Sequence, residues 1–270
     1  MGLTAAFVFA AQMLNFPVLA GTSGHLVGGV LAAVLLGPAG GVLVMTSVLV
    51  VQALLFADGG LLALGANVLN MAVIGSLGGY VIFATVRRLL PGQRGTIVAA
   101  AFASWCSTVL ASVLCAGELA WSHTAPWSAA FPAMANVHMV IGLGEAAITA
   151  LVVAGLAKVR PELLRNGEEG SPRWTVVVYA LAIIMALAIF VSPFASPWPD
   201  GLERVASALG FDQKALGSSG FHAPIQEYQV PGLGSPAAAT GVAAAVGVIV
   251  VFFLSYLLAR ILVPSSSRRT

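Results

Sequence analysis

The sequence predicts an all-α polytopic integral membrane protein with about eight transmembrane helices, and three observations carry that prediction. Of the 270 residues, 59% are hydrophobic and only 8% are charged, against the roughly 25% charged in ordinary soluble domains. The mean hydropathy is +0.97. The apolar residues also gather into runs approaching the roughly 20 residues that a helix needs to cross a bilayer. A soluble domain of this size stays dissolved through a charged surface, and this chain has none to offer, so lipid is the solvent its composition suits. A net charge of +2 on scattered positive residues gives no footprint for nucleic acid.

Eight apolar segments follow in order, near residues 2–20, 25–36, 39–57, 66–86, 96–117, 131–157, 174–192 and 237–262. The first lacks the basic start and small-residue cleavage pattern of a signal peptide and reads as a retained helix. The second is short, opens at Gly24-His25 and is parted from the third by Gly37-Pro38. Short segments interrupted by Gly and Pro often line substrate sites in transporters, although a tight turn between two helices explains the same pattern. Cys106 and Cys115 share the fifth segment. Their nine-residue spacing puts them on opposite faces of a helix, which excludes a disulfide between them. Trp121, Trp127, Trp174 and Trp198 fall at segment ends, where interfacial aromatic anchors belong. Residues 158–173 (KVRPELLRNGEEGSPR) are the one strongly charged stretch and read as a linker between two membrane units, six segments before it and two after. The second unit's outer loop, 193–236, contains Asp200–Gly210, which suits a short helix capped by Asp200.

Lys and Arg set the orientation. Arg87, Arg88 and Arg94 lie between the fourth and fifth segments. Lys158, Arg160, Arg165 and Arg173 lie between the sixth and seventh, and Arg268 and Arg269 lie in the tail. With eight spans all three places fall on one side, which is therefore cytoplasmic. The loops around Gly21–His25, 118–130 and 193–236 then fall outside.

Polar groups inside an apolar span are costly and face the protein interior, which singles out Gln12, Asn15, His25, Gln52, Asn67, Asn70, Asn136, His138 and Glu145. His25 lies in GTSGHLVGG. With Ser23 as the cap of a helix starting there, the imidazole sits in the first turn, where the positive end of the helix dipole favours the neutral ring that a metal needs. A hydrogen-bonded interfacial histidine accounts for the same spacing. His138 and Glu145, seven apart, share a helix face about 10 Å from each other. That is too far for both to grip one ion, so they suit interhelical hydrogen bonding or a polar track. Asn67 and Asn70 likewise share a face and must find partners in lipid. There is no G-x-x-x-x-G-K-[ST], no H-E-x-x-H and no C-x-x-C, so neither ATP hydrolysis by a phosphate loop nor a familiar zinc enzyme is supported.

Beyond this point the residues resemble a known family. The runs GTSGHLVGGVLAAVLLGP (21–38), QALLFADGGLLALGANVLNMA (52–72) and VHMVIGLGEAAIT (137–149) resemble the substrate-binding membrane subunit of cobalt/nickel energy-coupling-factor (ECF) transporters. PDGLERVASALGF (199–211) resembles the PDGLE domain often fused to it. The resemblance implies three parts: a metal-binding membrane subunit over 1–157, a cytoplasmic linker over 158–173, and a PDGLE domain over 174–270 with two transmembrane helices. It further implies a multi-pass cell-membrane protein, not an enzyme, that captures Ni²⁺ or Co²⁺ from outside. Its partners would be a transmembrane coupling subunit and separate cytoplasmic ATPases, with the metal as transported ligand and no cofactor. His25 matches the family's metal-binding histidine, with Thr22, Ser23, Asn67, Asn70, His138 and Glu145 as supporting groups or a polar track. The family's other ligands come from a Met-His start on a preceding helix. This sequence opens Met1-Gly2-Leu3 instead, so one helix and those ligands are expected to be missing from these 270 residues. Two other readings stay open: a non-transporting membrane scaffold, and a secondary transporter driven by protons through His138 and Glu145.

Overall fold

The computed structural model describes residues 1–18, 21–164, 174–214 and 221–262. Arg165, Arg173, Arg268 and Arg269, used above for orientation, lie outside them. Helix α1 spans Gly2–Gln12, followed by a two-stranded antiparallel ribbon of β1 (Phe16–Pro17) and β2 (Ser23–Gly24). Helix α2 spans Gly29–Val51 and continues through π-helical turns at Gln52–Phe56. Then come α3 (Leu64–Leu89), α4 (Gly92–Trp121) and α5 (Trp127–Val159), and after the linker α6 (Trp174–Phe190), α7 (Gly201–Leu209) and α8 (Pro236–Leu262).

Six helices among the described residues are long and apolar enough to cross a membrane: Gly29–Phe56, Leu64–Leu89, Gly92–Trp121, Trp127–Val159, Trp174–Phe194 and Pro236–Leu262. The expectation of eight spans is corrected at the first three segments. The first, read as 2–20, ends at Gln12. Pro17 forces the residue before it into extended backbone, and the chain turns into the ribbon instead of continuing as helix. The second and third are joined through Gly37, whose φ of 78° and ψ of 165° lie outside the helical region. The chain reverses there, because a Cβ at Gly41 would lie 2.9 Å from the Cα of Ala33. In a straight helix those residues stand about 12 Å apart. Residues 29–36 are therefore a short half-span, and 38–56, about 28 Å long, is the crossing segment. The half-span starts deep in the bundle. A Cβ at Gly29 would meet the Gly75 carbonyl carbon at 2.7 Å, so α2 and α3 touch backbone to backbone, the close approach that small residues permit between membrane helices.

The loops segregate to two ends of the bundle. At one end the Ser196 N–H donates to the Asn15 carbonyl (2.8 Å), the Ser23 N–H to the Pro199 carbonyl (2.8 Å) and the Ile225 N–H to the Leu55 carbonyl (3.0 Å). The Lys214 ammonium joins them, donating to the Thr124 carbonyl (2.8 Å). Leu164 packs at the other end with Phe7, Val34, Leu35, Phe83, Ile97 and Val152, near the Arg87–Arg94 turn. This pairing of loops is the one that the positive residues anticipate. The main core draws on both sides of the linker: Ala5, Val8 and Phe9 of α1 and Val44, Met45 and Val48 of α2 pack with Ile184 and Ala188 of α6 and Val248, Val251 and Phe252 of α8. Helix α7 starts where its sequence calls for it. Asp200 accepts from the Glu203 N–H (2.8 Å), and the Glu203 carboxylate accepts from the Asp200 N–H (3.0 Å), a reciprocal capping box closed at the far end by Gly210.

Candidate metal site

His25 sits elsewhere than the first turn of a helix. Ser23 and Gly24 pair with Pro17 and Phe16 as a strand, residues 25–28 are irregular, and α2 begins only at Gly29. The Ser23 hydroxyl caps nothing in α2. It donates to the Trp198 carbonyl (2.7 Å), fastening the PDGLE turn. The expected dipole effect on His25 is therefore withdrawn, and local hydrogen bonds set the imidazole instead. Its Nδ1 lies 3.2 Å from the Leu26 carbonyl, and a carbonyl only accepts, so Nδ1 carries the proton. In the neutral ring Nε2 is then left with its lone pair, the arrangement found in metal-binding histidines. His138 repeats the pattern, with Nδ1 donating to the Met134 carbonyl at 2.8 Å.

These two histidines, with Asn67, Asn70, Asp200 and Gly201, line a cavity of about 160 Å³ at the outer half of the bundle. Its polar lining is dominated by acceptors. Asn70 donates its amide to Glu118 (3.0 Å), which leaves its buried Oδ1 without a partner among the described residues. Thr108 and Ser112 donate their hydroxyl protons to the Ser104 and Val109 carbonyls and so present lone pairs. Two imidazole nitrogens, an orphaned amide oxygen and the Asp200 carboxylate suit a cation or its water shell and repel an anion. Met71, Met134 and Cys115 add sulfur to the wall. Among the described residues no three His, Cys, Asp or Glu side chains converge closely enough to hold an ion between them.

Glu145 stands behind the cavity loop. It is 1% exposed, and its carboxylate accepts from the Val27 N–H (2.6 Å) and the Gly28 N–H (3.0 Å). From the other side the Gln12 amide donates to the Val27 carbonyl (2.8 Å), and the Gln52 amide donates to Gln12 Oε1 (2.8 Å). The irregular stretch after His25 thus has its backbone groups satisfied by side chains, as buried non-helical backbone in a membrane protein requires.

Of the residues singled out in the sequence, the structure gathers His25, Asn67, Asn70 and His138 around one cavity and places Glu145 in support of the loop. Thr22 and Ser23 are buried beside the cavity without lining it. His138 and Glu145 each bond a different backbone partner, the Met134 carbonyl and the Val27 N–H. Sequence reasoning passed over Cys115, considered only for a disulfide, and Asp200, read only as a cap. The PDGLE turn closes over the cavity's outer side. A Cβ at Gly201 would fall 2.7 Å from His138 Cε1 and 2.8 Å from Ile141 Cδ1, so the glycine of this motif is what lets the turn seat on the imidazole.

A multi-pass helical bundle with a polar, acceptor-lined cavity beneath a short outer helix is the build of a membrane transport component. Comparison with known proteins gives the particular family. Residues 1–163 match the family described as the cobalt uptake substrate-specific transmembrane region (CbiM), and residues 173–264 match the PDGLE domain. The chain belongs to this family, in the form fused to a PDGLE domain. It is 35% identical to the putative fused nickel transport protein NikMN of Archaeoglobus fulgidus, over 96% of this chain and 85% of that protein. With the fused nickel transport protein NikMN of Rhodobacter capsulatus it shares 36% identity over 83% of this chain and 70% of that one. It also resembles a crystallised transition metal transporter at 36% identity and a TM-score of 0.52, over 58% of this chain and 74% of the other.

Proposed function

We propose that this chain is the substrate-capture component of an ATP-driven importer for Ni²⁺ or Co²⁺, with His25 as a metal ligand. The observation that carries the reading is the acceptor-lined cavity onto which His25 and His138 face, each with its Nδ1 proton committed to a backbone carbonyl. Borderline divalent ions such as these take imidazole nitrogen readily. The names of the relatives, nickel transport proteins among them, support the choice of metals. In this reading residues 1–157 form the metal-binding unit, 158–173 a cytoplasmic linker, and 174–270 the PDGLE unit with its outer loop 193–236. A transmembrane coupling subunit and cytoplasmic ATPases supply the energy, and the chain itself catalyses nothing.

A lone imidazole leaves most of an ion's coordination shell to water, so these 270 residues bind weakly, and His138, Asn70 and Asp200 act on the ion's waters. The experiment is titration calorimetry of Ni²⁺ and Co²⁺ on the purified chain and on His25→Ala. Binding in the micromolar range or weaker, at least about tenfold weaker again in His25→Ala (one ligand lost, about 1.4 kcal/mol), is expected. Tight binding that survives His25→Ala overturns the assignment. A proton-coupled exchanger would need His138 and Glu145 to pass a proton between them, and their seven-residue spacing, about 10 Å along one helix, is too long for direct transfer.

A further inference from the structure

Asn70 stands between the cavity and the outer end of α4. It is 7% exposed and borders the cavity together with His25 and His138. Its amide nitrogen donates to Glu118 Oε2 at 3.0 Å, in the last turn of α4. Its Oδ1 is buried without a partner among the described residues. A buried amide oxygen left unpaired costs more than an ordinary hydrogen bond returns, so an arrangement that leaves it so needs a cause.

Two sets of neighbours pull this amide in opposite senses. Thr108 and Ser112 line the same cavity and have donated their hydroxyl protons to the Ser104 and Val109 carbonyls. Their lone pairs draw an NH₂ toward the cavity. Glu118 draws it the other way. A carboxylate offers acceptors only, and a hydrogen bond to a charged acceptor is roughly twice as strong as a neutral one. The NH₂ therefore turns to Glu118, and Oδ1 takes the opposite edge of the amide. Without the carboxylate the two ends exchange by a simple flip. The sense matters to a cation. Oδ1 offers lone pairs to the ion or to the protons of its water shell, whereas an NH₂ in that place turns the positive end of its dipole on the ion.

We infer that Glu118 is a positioning residue, which fixes Asn70 in the sense that makes it an acceptor for the cation in the cavity. The inference rests on the proposal that this cavity takes the metal. Its test uses the full chain in detergent and two readouts. The first is the side-chain amide NMR of metal-free protein labelled with ¹⁵N only at its five asparagines, with the Asn70 pair assigned by its loss in Asn70→Leu. The second is Ni²⁺ affinity at about 1 M salt, where screening over about 3 Å removes the long-range pull of the Glu118 charge. Glu118→Gln keeps the shape and lets the amide flip. The Asn70 proton that bonds to Glu118 is expected to move upfield in it, and Ni²⁺ affinity is expected to fall about fivefold, the effect of one hydrogen bond. Asn70→Leu should lose a similar factor. Adding Glu118→Gln to Asn70→Leu should then change little further, because both act through one amide. An Asn70 resonance unmoved in Glu118→Gln overturns the inference. So does a moved resonance with unaltered Ni²⁺ affinity, and so does a full further loss on the Asn70→Leu background, which would make Glu118 a plain charge. Unaltered affinity in His25→Ala would instead sink the metal assignment and leave the NMR result standing, so the two failures are distinguishable.

Discussion

Replacing Glu145 by Gln tests how the cavity loop is held. The carboxylate of this residue, 1% exposed, takes two backbone N–H groups, those of Val27 at 2.6 Å and Gly28 at 3.0 Å. A glutamine has nearly the same shape, but it offers one oxygen and sets its NH₂ against the second N–H. One hydrogen bond is lost and one buried donor is orphaned, a penalty of about 2 kcal/mol. Glu145→Ala orphans both donors and opens a void, and should destabilise by about 4 kcal/mol. Most of the effect should be local, because the two amides belong to an irregular stretch that opens without unfolding the bundle. Amide exchange of the segment holding Val27 and Gly28 should therefore quicken about 30-fold in Glu145→Gln, the factor that 2 kcal/mol represents. Unfolding in mixed micelles should follow the order wild type, Gln, Ala. Equal effects of Gln and Ala would show that side-chain volume, and not the paired acceptors, matters here. Exchange as slow in Glu145→Gln as in the wild type would refute the clamp altogether.

Three further outcomes follow from close contacts in the bundle and from its topology. Gly29→Ala drives a methyl into the Gly75 backbone at 2.7 Å, so α2 and α3 must part, and a loss of about 1–3 kcal/mol is expected from overpacking, read as a lower thermal midpoint in micelles. Gly201→Ala sets a methyl against the His138 ring and should unseat the PDGLE turn. Paired cysteines at positions 23 and 198, joined in wild type by the Ser23 to Trp198 bond, should then cross-link far more slowly than in a Gly201 background. In intact cells, single cysteines at Arg94 and Lys158 should resist an impermeant thiol reagent while those at Thr124 and Glu227 react. The reverse pattern would invert the topology.

The spans were legible because apolar runs of bilayer length leave little else to conclude, and five of the six long helices lie within about four residues of the segments read from sequence. The misreadings are physical. Residues 13–18 continue an apolar run, yet Pro17 and the pairing of Phe16 with Gly24 carry them out of the helix and into the ribbon. Gly37-Pro38 reads as a separator, and the structure makes it the tip of a hairpin whose first arm never crosses. The polar residues of the site stood out because a polar group in lipid must face protein. Cys115, Met71 and Met134 line the same cavity and did not stand out, since their side chains are ordinary in any apolar core. Asp200 looked like a helix cap and is one. That it also borders the cavity depends on how α7 folds back across α5, and no local pattern encodes that.

The assignment of the metal to His25 is tested most directly by X-ray absorption at the nickel edge of the Ni²⁺-loaded chain, beside His25→Ala. The expected spectrum is a shell of nitrogen and oxygen with the outer-shell scattering of imidazole and no sulfur, and that imidazole signal should be lost or much reduced in His25→Ala. A sulfur shell, from Cys115, Met71 or Met134, or an imidazole signal unchanged by the substitution, would contradict it.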